Sequence, residues 1–149
     1  MKSGRCGCLA LLLAVLAACS PAAGDDRVEL VIVNRATEAV LLSVDRARCL
    51  DPAAIATLDG RTILIERPRL SVGLRVDRSG ACAAAAAALD ISLRHLGGGK
   101  IGHLALAWDD DDRLTSAATA EAAYNAYVSV ARDEGPSGPR LTVAFTPCS

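Results

Sequence analysis

Aromatic side chains are nearly missing from this sequence. Trp108, Tyr124, Tyr127 and Phe145 are all that its 149 residues contain, too few to build platforms on which nucleobases stack. An excess of charge is missing as well: 16 Lys and Arg stand against 17 Asp and Glu, a net charge of −1, so nothing marks a polyanionic partner. Nucleic acid is not an expected ligand. No hydrophobic run reaches the roughly 20 residues a helix needs to cross a bilayer core; the longest, Leu9 to Ala18, has ten. The sequence also holds no Gly-x-Ser-x-Gly elbow, no His-Glu-x-x-His, no phosphate-binding glycine loop, no dinucleotide fingerprint and no Cys-x-x-Cys. No cofactor is implied and no catalytic residue is assigned.

Lysine is scarce too, two beside 14 Arg, while 29 residues are Ala. That skew reads as a coding bias in composition, so Ala-rich stretches count for little as helix signals. What is present is apolar material: 52% of the residues are hydrophobic, enough for the core of one domain of the common size of about 100 to 150 residues. With so little net charge, general disorder is excluded.

Residues 1–18 read as a secretory signal peptide. Lys2 and Arg5 precede the ten-residue apolar stretch, which has the length of a signal-peptide core. Its end, Leu16-Ala17-Ala18-Cys19, resembles the lipobox of bacterial lipoproteins, in which a Leu, two small residues and a Cys are read by the lipidating and cleaving enzymes. Cys6 and Cys8 lack an apolar residue three positions upstream, so only Cys19 qualifies. The resemblance implies a diacylglyceryl thioether on Cys19, cleavage before it, and acylation of the new amino terminus. Each buried methylene contributes about 0.8 kcal/mol, and two or more chains give stable attachment. Ser20, rather than Asp, follows the Cys, which in lipoproteins of two-membrane bacteria implies the periplasmic face of the outer membrane. Residues 20–27 then form a polar tether reaching at most about 26 to 29 Å, and residues 28–149 the β-rich domain.

Within that domain, residues 28–34 and 40–45 are β-branched runs. Pairing Asn34 with Val40 in a hairpin puts Val28, Leu30, Ile32, Val40, Leu42 and Val44 on one face. Residues 62–66 and 70–76 flank Pro68, and Leu70, Val72, Leu74 and Val76 alternate with polar or small neighbours as a half-buried strand does. Around Gly97 to Lys100, a four-residue loop pairs Leu96 with Ile101 and sets Leu93, Ile91 and Leu89 opposite Leu104, Leu106 and Trp108. Residues 127–130 and 141–146 alternate likewise about a turn-rich loop at 133–139. Eight such runs point to an all-β fold, a single β-sandwich that is immunoglobulin-like in the broad sense. The alternative is α+β, with short helices near 81–88 and 115–126. In up-and-down order, connections 35–39, 67–69, 97–100 and 133–139 share one end. The longer 46–61, 77–88 and 109–126 share the other with the tether, which makes that long-loop end the expected functional surface.

Three cysteines follow the anchor. A secreted chain permits disulfides, and Cys49, Cys82 and Cys148 allow three pairings with one thiol left over. The pairing expected is Cys49 with Cys82, closing a loop of 32 intervening residues. His95 and His103 fall on opposite faces of the hairpin, an arrangement that does not chelate one ion. Asp109, Asp110, Asp111 and Asp112 are the densest charge and offer hard oxygen ligands for calcium. The Gly and Glu of a helix-loop-helix calcium site are replaced by Leu114 and Ala120, so the four read as a solvated strand end and no metal is expected. The function expected is that of a membrane-anchored periplasmic lipoprotein, a non-catalytic binding or structural module that meets another envelope protein. The alternative is a small periplasmic hydrolase or enzyme inhibitor working at the long-loop end through Asp109 to Asp112, Glu121 and Tyr124.

Overall fold

Alternation of apolar and polar residues dominates the folded chain, seen here in a computed structural model that describes residues 26–35, 37–109, 111–120, 126–136 and 138–147. In order these form β1 (Arg27–Asn34), β2 (Val40–Arg48), α1 (Pro52–Leu58), β3 (Thr62–Ile63), β4 (Arg69–Arg75), a 3-10 turn (Gly80–Cys82), β5 (Ala87–His95), β6 (Lys100–Trp108), β7 (Leu114–Ala120), β8 (Ala126–Gly135) and β9 (Gly138–Pro147). One sheet has the order β4-β1-β9-β8 and the other β3-β2-β5-β6-β7. β1 and β9 are parallel; the other neighbours are antiparallel. Among the described residues the fold is mainly β, two packed sheets with one short helix. Among the described residues, no helix is long and apolar enough to cross a membrane.

The core lies where the apolar rows of the two sheets meet. Val28, Leu30, Ile32, Val72, Leu74, Leu141, Val143 and Phe145 come from one sheet, and Val40, Leu42, Leu89, Ile91, Leu93, Leu104, Leu106 and Trp108 from the other, all buried. Each set recurs at every second residue, as a strand with one covered face requires.

Each of the eight expected runs contributes a strand, although the run 62–66 is strand only at Thr62–Ile63 and leaves the sheet from Leu64 on, and the partners differ. Residues 28–34 and 40–45 do not form a hairpin: β1 lies between β4 and β9, while β2 lies in the other sheet between β3 and β5. The chain crosses from one sheet to the other after Asn34, whose buried amide donates to the carbonyls of Glu38 (2.8 Å) and Ile63 (3.2 Å). Both arrangements turn the same apolar face inward, so the pattern of side chains does not distinguish them.

The β5–β6 hairpin is two residues out of the expected register. Ile91 faces Leu104 and Leu89 faces Leu106, with a bulge between Leu93 and Arg94. An even shift keeps every side chain on its face, but the expected pairing of Leu96 with Ile101 is lost: Leu96 falls in the turn, where it is 65% exposed. Among the described residues neither helix of the α+β alternative, near 81–88 or 115–126, forms; residues 121–125 lie outside them. Residues 81–88 hold the end of the 3-10 turn and the start of β5, where Ala87 is fully buried opposite Trp108. Residues 114–120 are β7, paired along β6. At both places Ala serves as a small side chain beside a large one or at a sheet margin, not as a helix former.

The helix that does form, α1, stands in the expected long connection 46–61. Asp51 caps it by accepting from the Ala53 amide at 3.0 Å, and Pro52 occupies its first turn, where a missing N–H costs nothing. Leu58 is fully buried. The Asp51 amide donates to Arg75 O in β4 (2.9 Å), and Asp59 Oδ1 accepts from the Val44 amide in β2 (2.9 Å). The helix therefore bridges the two sheets and closes part of the β2/β4 side.

Candidate functional site

Strand direction sorts the connections into two ends. The near end, where Arg27 begins β1, carries the turns after β2, β4, β6 and β8; the far end carries those after β1, β3 and β5. Because β7 adds a ninth strand, β8 runs opposite to the expected direction and the 133–139 turn moves to the near end. The same reversal makes β9 end, at Pro147, at the far end. Cys148 lies outside the described residues, as do Cys19, Asp110, Glu121 and Tyr124.

At the near end Cys49 and Cys82 form a disulfide with a Cα–Cα separation of 5.4 Å, the pairing expected from the sequence. It ties the 3-10 turn to the end of β2. A cleft of about 610 Å³ beside it is lined by Asp26, Asp51, Arg75, Asp77, Arg78 and Asp112 among others. Its polar groups hold the loops together. Asp77 accepts from the Ser79 hydroxyl (2.6 Å) and amide (2.9 Å), and these bonds hold its carboxyl below the usual range. Arg78 binds Asp112 and donates to Ala85 O at 2.7 Å. Asp51 caps α1.

Of the aspartate run, Asp109 Oδ1 accepts from the amides of Asp111 (3.0 Å) and Arg113 (2.8 Å), so it shapes a tight β6–β7 turn in place of the expected long loop. Asp112 sits in the left-handed region at φ 58°. Among the described residues no group of three His, Cys, Asp or Glu side chains is placed to hold a metal ion. His95 lies in the inward row opposite Val40, with Nδ1 2.9 Å from Glu38 Oε2. His103 lies in the outward row opposite Ser92.

On the outer face of the four-stranded sheet, Glu29 joins three strands. Its Oε1 accepts from Ser71 Oγ at 2.6 Å and its Oε2 faces Arg140 Nε at 2.6 Å. Sequence reasoning missed this cluster, since 42 and 111 residues separate the partners.

The far end has a different character. Leu64 is 47% exposed and Ile65 51%. Ile63, Val40 and His95 form one row across β3, β2 and β5, so Leu96, following His95, stands at the same end. A groove of about 430 Å³ opens there between β3 and β4, with Ile63 and Leu70 inside it and Arg61, Arg67 and Arg69 around it.

No protein-family model matches the chain, and no curated protein matches it. Among solved structures it is similar to the crystal structure of IP-1A from Alcaligenes faecalis, at 9% identity and a TM-score of 0.59, over 83% of this chain and 92% of that one. At that identity the likeness concerns the fold alone.

Proposed function

We propose that this chain is a lipoprotein of the cell envelope, anchored through Cys19 at the periplasmic face of the outer membrane, whose β-domain is a non-catalytic binding or structural module. One observation carries the binding role. Of the four large apolar side chains exposed among the described residues, Leu64, Ile65 and Leu96 stand at the far end, opposite the point where Arg27 starts β1. Grouped apolar exposure marks an interaction site, and a domain tethered at its near end holds its far end towards other molecules. The expected functional surface thus moves from the long-loop end to the opposite one. The hydrolase or inhibitor reading draws less support, because Asp51, Asp77, Asp109 and Asp112 are engaged in caps, turns and an ion pair. We read the sandwich as immunoglobulin-like in the broad sense, a reading supported by the two facing sheets.

A photocrosslinking residue placed at Ile65, and in a second strain at exposed Arg48 of the near end, tests the assignment in intact cells. A discrete protein adduct from position 65 and none from position 48 is the expected outcome. The reverse pattern, or no adduct from either, would contradict it.

A further inference from the structure

The sandwich is closed unevenly along the side where β2 and β3 of one sheet face β4 of the other. Towards the near end α1 bridges the sheets, with Leu58 and Ala54 buried beneath it. Beyond Asp59 the helix has ended, and the groove between β3 and β4 opens. The inward row of β4 continues there to Leu70, opposite Ile32, yet Leu70 is only half-buried. Ile63 is buried at the base and Leu64 lines the groove while 47% exposed; Ile65, next in the chain, is 51% exposed. Gly60, at φ 70°, adds no bulk to the mouth.

The rim is basic. Arg61, Arg67 and Arg69 line the groove, and among the described residues neither Arg61 nor Arg67 has a carboxylate partner. Arg69 acts on Glu29 through space. Glu66 is the single acidic residue between Gly60 and Leu70. A chain of net charge −1 thus places three arginines at the groove, Arg69 from the outward row of β4.

We propose that this groove docks a protein segment that is both acidic and apolar, its carboxylates meeting Arg61, Arg67 and Arg69 and an apolar side chain covering Leu64, Ile65 and Leu70. The proposal rests on the reading of the domain as a binding module and names the chemistry of its partner. A small inorganic anion would satisfy the guanidinium groups and leave Leu64 and Ile65 in water. A lipid surface would reach the exposed Leu64 and Ile65 but not Leu70 and Ile63, which lie within the groove. Charge complementarity of this kind governs association rate and partner choice.

The test is a fluorescence anisotropy titration of the full chain with a short fluorescein-labelled peptide of alternating Leu and Asp, and with its Leu and Lys counterpart. The acidic peptide binds saturably and the basic one does not. Arg61→Glu with Arg67→Glu weakens binding about tenfold or more, and Leu64→Ser with Ile65→Ser weakens it separately. Arg48→Glu at the near end leaves it unchanged. All variants keep the circular dichroism of the parent, which separates lost binding from lost folding. Absence of binding by the folded parent, or binding indifferent to the double charge reversal, overturns the proposal. So does charge-dependent binding to phosphatidylglycerol vesicles without peptide binding, which assigns the groove to a lipid surface. A crosslinked partner at Ile65 together with charge-indifferent peptide binding rejects this chemistry and leaves the binding module standing.

Discussion

Glu29 Oε2 lies 2.6 Å from Arg140 Nε across the parallel pair of β1 and β9, the one parallel contact among the described strands. Ser71 on β4 donates to the other carboxylate oxygen, so one side chain links β4, β1 and β9 on the outer face. The Ser71 hydroxyl chiefly, and Arg140 after it, hold the Glu29 carboxyl below its ordinary value.

A carboxyl whose folded value is depressed adds stability above the ordinary glutamate range, and that stability is lost as pH falls through the depressed value. Acidification from about pH 6 to about pH 3 therefore lowers the urea midpoint, and Glu29→Gln loses less over the same interval. The pair is partly exposed, so added salt narrows the difference. Equal losses in parent and variant would remove Glu29 from the account of acid sensitivity.

The Cys49–Cys82 bridge closes a 33-residue separation. Chain-entropy reasoning gives such a loop about 3 to 4 kcal/mol of stabilisation. Cys49→Ala with Cys82→Ala, followed by urea denaturation, is expected to lose that amount while the far end keeps its crosslinking at position 65. A loss below about 1 kcal/mol would mean that α1 and the 3-10 turn hold the near end without the bridge.

Gly102 on β6 has no room for a side chain. A Cβ there would stand 2.7 Å from Phe145 Cε1 and 2.8 Å from Thr119 O, and Phe145 is buried in the core, so neither neighbour yields easily. Gly102→Ala is expected to destabilise by roughly 1 to 3 kcal/mol, as overpacking does. Thermal melts of the two proteins decide this, and an unchanged midpoint would show that β7 moves aside.

Much of the fold was legible because period-2 alternation survives any arrangement that keeps the same faces inward. Val28, Leu30, Ile32, Val40 and Leu42 are core residues whether β1 and β2 pair or face each other, and the β5–β6 rows are the same after an even register shift. What alternation does not carry is sheet membership. The 35–39 connection serves a hairpin or a crossing equally well, and the buried Asn34 amide that anchors the crossing has no signature in sequence. The Ala-rich segments 81–88 and 115–126 carry no strand pattern, because Ala and Thr at a margin show little alternation, whereas Asp51-Pro52 in the 46–61 connection carries a helix signal, a cap followed by a first-turn proline. The β7 omission then displaced the 133–139 turn and, with it, the assignment of ends. The far-end groove was not legible at all, since Leu64 and Leu70 read as strand interior.

Whether the far end points towards a partner depends on where the chain is held, so Cys19 is the residue on which the account turns. Cells grown with radiolabelled palmitate and then fractionated measure both acylation and partition of the full chain. The parent is expected to take up label and sediment with membranes, and Cys19→Ala to carry none and appear in the soluble envelope fraction. Membrane-bound, labelled Cys19→Ala would contradict the account.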